Sequence, residues 1–179
     1  MKFKVSLLSA FILSVVIVFF LFGMVSAATD TKQVIPVVTV DSSGSLSIVS
    51  GVGEGNAIEF GNMAPGQTLT KPLTLGIIAN DNLQLTVGKN QDLKDAPTNE
   101  TIPSANFTYT SSAGTPAPPG TPTYAVSDTQ FGTEGVPSNV LTGGEASDCQ
   151  VEVTYKLITP AAQPGGYYTA THTYTLTVE

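Results

Sequence analysis

From Tyr168 to Val178 every second residue is a threonine: Thr169, Thr171, Thr173, Thr175 and Thr177 alternate with Tyr168, Ala170, His172, Tyr174, Leu176 and Val178. Successive side chains of an extended strand point to opposite faces. The pattern therefore predicts a strand with its threonines in water and the second set against a core. Threonine suits the wet face because its branched Cβ favours the pleated backbone while its hydroxyl meets solvent. Upstream, Val151, Val153, Tyr155 and Leu157 alternate with Gln150, Glu152, Thr154 and Lys156. Joined through residues 159–166, the two stretches are expected to form a long antiparallel hairpin. Its apolar face needs a second sheet, expected from the first half of the chain.

The same period-2 signal, with Thr, Val, Ile, Leu and Tyr enriched, predicts further strands at 34–40, 45–49, 57–60, 68–78, 83–87, 105–109 and 123–126. Residues suited to turns separate them: Asp41-Ser-Ser-Gly44, Gly51-Val-Gly-Glu-Gly55, Ala64-Pro-Gly66, Asn80-Asp-Asn82 and Gln163-Pro-Gly-Gly166. No stretch after residue 28 keeps apolar residues at helical spacing. The expected fold is all-β: one antiparallel β-sandwich of Ig-like or Greek-key type, with about 8–10 strands, spanning 28–179. Residues 111–148, rich in Pro, Gly, Ser and Thr, read as a largely irregular excursion from it.

The first residues follow a different rule. Lys2 and Lys4 precede an apolar run from Leu7 to Val25, and the small residues Ser26-Ala27-Ala28 follow. This is the layout of a secretory signal, with cleavage expected after Ala27. The run is also just long enough to span a bilayer, so an uncleaved anchor through residues 7–25 is the alternative and the one expected route to a membrane. Both readings place the remainder outside the cell, extracellular or on the cell surface.

Charge and cysteine narrow the partners. The 14 acidic residues all lie beyond Ala27, against five lysines and no arginine. Such a surface repels phosphate backbones, so no nucleic-acid partner is expected. Cys149 is alone, so the domain holds together by packing, and a buried thiol is expected.

Candidate chemistry is sparse. The single histidine, His172, falls on the apolar side of its strand, which leaves no base beside a nucleophile and too few nitrogen and sulfur ligands for zinc. No catalytic residue and no cofactor are assigned, and an enzyme is not expected. Asp81, Asp92 and Asp95, among Asn80, Asn82 and Asn90, are hard oxygen donors of the kind calcium uses, with solvated turns as the alternative. Asn99-Glu-Thr101 and Asn106-Phe-Thr108 are glycosylation sequons at Asn99 and Asn106. Alternation turns Tyr155, Tyr168 and Tyr174 inward and leaves Tyr124 and Tyr167 as candidate exposed aromatic contacts.

Four stretches, Ile58-Glu-Phe-Gly-Asn-Met-Ala-Pro-Gly-Gln67, Leu83-Gln-Leu-Thr-Val87, Ile102-Pro-Ser-Ala-Asn-Phe107 and Gly166-Tyr-Tyr-Thr-Ala-Thr-His-Thr-Tyr-Thr-Leu176, are spaced in a way that resembles the WxL-like surface β-sandwiches of prokaryotes. The resemblance covers about residues 34 to 178 and implies an exported cell-surface sandwich. The chain has no tryptophan: Leu83-Gln-Leu85 and Tyr174-Thr-Leu176 stand where that family carries its W-x-L elements. The peptidoglycan attachment of that family is not carried over.

The expected function is that of an exported, non-enzymatic structural protein whose partners are the cell envelope or copies of itself. The stretch from Ala28 to Val40 begins polar and becomes extended and apolar, a pattern suited to pairing with a neighbouring subunit by strand addition. An ordinary first strand within one chain is the alternative. An envelope-glycan or wall-polymer binding module is the rival function, and a secreted enzyme the third.

Overall fold

The computed structural model describes residues 42–179. Residues 1–27, expected as a signal, and residues 34–40, expected as a strand, lie outside them. The fold is all-β, with antiparallel sheets packed as a sandwich. Twelve strands occur among the described residues: β1 Gly44–Ser50, β2 Thr68–Ala79, β3 Leu83–Lys89, β4 Leu93–Asp95, β5 Thr101–Ile102, β6 Phe107–Ala113, β7 Gly120–Tyr124, β8 Thr129–Gln130, β9 Ser138–Gly144, β10 Ser147–Ile158, β11 Tyr168–Thr169 and β12 His172–Val178. One sheet runs β1-β2-β10-β6-β8 and the other β12-β3-β9-β7; β11-β4-β5 form a small third sheet.

The core follows from alternation along the two longest strands. Leu73, Leu75 and Ile77 of β2 and Cys149, Val151, Val153, Tyr155 and Leu157 of β10 are buried. These two strands lie side by side through twelve residue pairs, Ser147↔Ala79 to Ile158↔Thr68. Leu83, Leu85 and Val87 of β3 and Val140 and Leu141 of β9 close the core from the opposite sheet. Hydrogen bonds also cross between the sheets: Tyr109 Oη donates to the Asn139 carbonyl at 2.9 Å, and Ser111 Oγ donates to the Val140 carbonyl.

Pro72 sits inside β2, where a missing N–H is costly in a paired strand. The register explains its tolerance. Asn80 N–H donates to Ser43 O on the β1 side. By the two-residue alternation Pro72 also faces β1, whose pairing ends at Ser50↔Thr74. Gly51 (φ +96°) turns the chain away there, so close to β2 that an added Cβ would lie 2.2 Å from the Pro72 carbonyl oxygen.

Several expectations are corrected. β10 and β12 do not form a hairpin. β10 pairs with β2 and β6, whereas β12 pairs with β3 in the other sheet. The link between them crosses the sandwich and is pinned at the 64–67 turn. There Thr159 Oγ1 donates to Ala64 O at 2.6 Å and Gly66 N–H donates to Thr159 O at 2.8 Å. Each sheet accordingly draws strands from both halves of the chain. Residues 57–60 form no strand; Ile58 and Phe60 instead pack against the core, Phe60 edge-on to Phe107 at 5.8 Å. A short 3-10 turn, Ser104–Asn106, precedes β6.

Nor is the 111–148 stretch largely irregular. It contains β7, β8 and β9, and β9 is an inner strand between β3 and β7. Its core-facing pair, Val140 and Leu141, is adjacent in sequence because register shifts flank Leu85 where β9 pairs with β3. The closing stretch divides at Ala170-Thr171 into β11 and β12, yet its threonines remain exposed and its alternate residues half-buried throughout.

Candidate functional site

The edge of a sheet offers unpaired N–H and C=O groups to other chains, and proteins usually blunt it with shortness, charge or proline. Among the described residues the two main sheets have four edges, of which two are blunted: β8 has two residues, and β7 carries Pro122 at its centre. The other two, β1 (GSLSIVS) and β12 (HTYTLTV), are seven residues each with neither proline nor a lysine or carboxylate. A register shift between Ile48 and Ser50 is the one irregularity of β1.

These two open edges lie on the same side of the sandwich. A Cβ added at Gly44 would come within 2.5 Å of Val178 and 3.0 Å of Leu176. Between them runs an open slot of about 480 Å³, lined by Leu46, Tyr174, Leu176 and Val178 together with Ser42 and Ser43. The lining residues of β12 are only half-buried, unlike the central strands behind them.

Backbone alternation identifies the free groups. Glu179 N–H donates to Asn82 O, and Thr171 O accepts from Asn90 N–H, so odd-numbered residues of β12 face β3. His172, Tyr174, Leu176 and Val178 therefore turn their N–H and C=O away from β3, toward the open side. Ser43 O faces β2 by the same logic, which leaves Gly44 and Leu46 facing outward on β1.

Behind the slot lies a cluster of rings. His172 stacks on Tyr155 (centroids 5.6 Å apart, 17° between planes) and lies 4.1 Å from Phe131 and 5.4 Å from Phe107. Tyr155 Oη lies 3.2 Å from His172 Nδ1 and 2.8 Å from Tyr174 Oη. Burial, with a smaller effect from the Lys89 charge, lowers the His172 pKa to about 4. The ring is therefore neutral at physiological pH. Burial also raises the Tyr155 and Tyr174 phenols above their usual value.

The structure separates the three candidate calcium carboxylates by giving each its own partners. Asp92 accepts from Lys89 Nζ and Ser104 Oγ. Burial pushes its carboxyl up, but those hydrogen bonds and the Lys89 charge outweigh it, and the pKa is lowered. Asp95 is buried and accepts from Thr98 Oγ1 at 2.5 Å and from Tyr167 N–H at 2.8 Å, bonds that lower its pKa. Asp81 accepts from the Asn82 amide and from Ser42 Oγ. Among the described residues no three His, Cys, Asp or Glu side chains converge where they could hold a metal ion.

The sequons differ in setting. Asn99 is exposed in the turn between β4 and β5, with φ +64°, and its Thr101 is exposed. Asn106 is half-buried, and its Thr108 is buried with Oγ1 donating to Asp128 at 3.4 Å. Tyr167 is 82% exposed, as alternation predicts. Tyr124 is not a free aromatic: it is half-buried against the core, with its hydroxyl enclosed. Cys149 is buried, and burial raises its thiol pKa.

Sequence reasoning missed the hydrogen-bonded trio of Tyr155, His172 and Tyr174. The signal was present: three rings with polar tips at core-facing positions must find partners for those tips. It also missed the juxtaposition of the β1 and β12 edges, since no local pattern reports which strands end a sheet. Set beside known proteins, the chain matches no protein-family model and no curated protein.

Proposed function

We propose that this chain is an exported, non-enzymatic structural protein of the cell surface that assembles with copies of itself by strand addition through its mature N-terminal segment. The observation that carries the reading is the pair of uncharged, proline-free strands that end the two main sheets on one side among the described residues, where the other two edges of those sheets are blunted. Long exposed edges of this kind are a hazard in a monomer and an asset in a polymer. The secretory layout of residues 1–27 and the spacing shared with WxL-like surface sandwiches support the exported location.

Electron microscopy and size-exclusion chromatography of the protein purified from its native cell surface test the reading. Filaments or rings are expected. A uniform monomer that leaves the cell freely would count against it.

A second reading, binding to an envelope glycan, draws on Tyr167, which stands 82% exposed while its backbone N–H is fixed by Asp95. Sugar rings stack on such aromatic faces. Retention of the protein by purified envelope polysaccharide, lost in Tyr167→Ala, would favour this reading.

A further inference from the structure

We propose that the free edge of β12 is the acceptor for residues 34–40 of a second copy of this chain, added antiparallel with Ile35, Val37 and Thr39 turned toward the slot. The inference rests on the strand-addition reading above and names its acceptor, direction and register.

The segment Val34-Ile-Pro-Val-Val-Thr-Val40 is seven uncharged residues, the same length as β12. In a strand, residues 34, 36, 38 and 40 direct their backbone groups to one side and 35, 37 and 39 to the other. Pro36 has no N–H, so its side must be the new outer edge. That leaves Ile35, Val37 and Thr39 to pair with β12, whose outward-facing groups belong to His172, Tyr174, Leu176 and Val178. Residues that exchange hydrogen bonds directly across an antiparallel pair share a face. Ile35 and Val37 therefore enter the core side, where Leu46, Leu176 and Val178 lie beside the more polar lining of Ser42, Ser43 and Thr175, and Pro36 and Val38 stay outside. The register that fills the slot sets Ile35 opposite Val178, Val37 opposite Leu176 and Thr39 opposite Tyr174. It also leaves Pro36 to blunt the new edge, so that one donor strand is taken and no more.

The same register requires a second copy. Ser42 lines the slot two residues before Gly44, which abuts Val178, and so lies near the Val178 end. Val40 would lie opposite Thr173, five residues or about 17 Å from that end. The link from Val40 to Ser42 reaches about 8 Å at most. A chain's own segment could follow β12 only in the parallel direction, against the antiparallel order of every strand pair described here.

Cross-linking of the full mature chain tests this. In the proposed register Val38 and Thr175 form a non-hydrogen-bonded pair on the outer face, where Cα atoms lie about 4.5 Å apart, within disulfide reach. Val38→Cys and Thr175→Cys chains, mixed and oxidised, are expected to form a disulfide-linked dimer that neither forms alone. No link in the mixture overturns the inference. A bond within one chain of the double variant, running as monomer, also overturns it in favour of the chain's own segment. Native polymers with no link would sink the acceptor assignment while leaving self-assembly standing, whereas monomers alone would sink both. Val37→Pro removes an N–H from the pairing side outside the described sandwich. Loss of polymer with unchanged thermal unfolding is expected, and retained polymer overturns the assignment.

Discussion

The phenol oxygens of Tyr155 and Tyr174 meet at 2.8 Å, one from each sheet, and Tyr155 also reaches His172 Nδ1. The sandwich is thus tied through its core by polar tips as well as by packing. Tyr155 is the shared member, and removing its hydroxyl leaves two buried groups without a partner. Tyr155→Phe is expected to cost about 1–3 kcal/mol and Tyr174→Phe nearer 1 kcal/mol. Urea unfolding of both variants checks the order; a smaller loss for Tyr155→Phe would remove the relay from the account.

The same ring makes stability depend on pH. The His172 pKa falls from 6.5 in the unfolded chain to about 4 in the fold. Between these values the unfolded chain binds more protons, so stability is complete above pH 6.5 and falls as pH drops toward 4. The loss is about 3 kcal/mol and levels off once the folded ring also protonates. The Asp92 and Asp95 carboxyls, held below their usual value, add a further loss as pH falls through their folded pKa. His172→Phe should flatten the profile between pH 4 and 6.5 alone, and an unchanged slope there would assign the effect to another group.

Leu141 lies wholly buried on β9, between two other strands. Leu141→Ala is expected to cost about 2–5 kcal/mol, read from the denaturant midpoint. A surface-loop residue would lose well under 1 kcal/mol, so the measurement distinguishes an inner strand from an irregular excursion.

Gly51 ends β1 at φ +96°, with its Cα turned onto β2. Gly51→Ala combines a strained backbone with a collision against the Pro72 carbonyl. A loss of about 1–3 kcal/mol is expected by calorimetry. A stabilised variant would show that the junction adopts another conformation in solution.

The strands with clean alternation were legible in the sequence, because period 2 is a local property. Thr169 to Thr177 read correctly as a wet face, and Tyr167 as exposed. The partner of β12 was not legible, since adjacency in sequence suggested β10 while the crossing at Thr159 carries the chain to the other sheet. β9 was hidden because Asn139, Thr142 and two glycines surround its two core residues, and its register shifts break the alternation. The short apolar run Ala57–Phe60 misled in the opposite direction: it plugs the core without joining a ladder. At the candidate site, composition could show that the β1 and β12 sequences lack charge, but only the sheet order shows that both are edges and share a side.

The crossing at Thr159 also sets the order in which the molecule can be completed. β2 waits for β10 and β3 waits for β12, and Thr86 meets Thr175 across 89 positions of sequence. For β2 and β3 the second neighbour comes only from residues 147–179, after β1 and β9 have supplied the first. A growing chain therefore cannot complete either sheet before residues 147–179 have been made. Until then it is a polypeptide that can still be threaded lengthwise, which the closed sandwich is not.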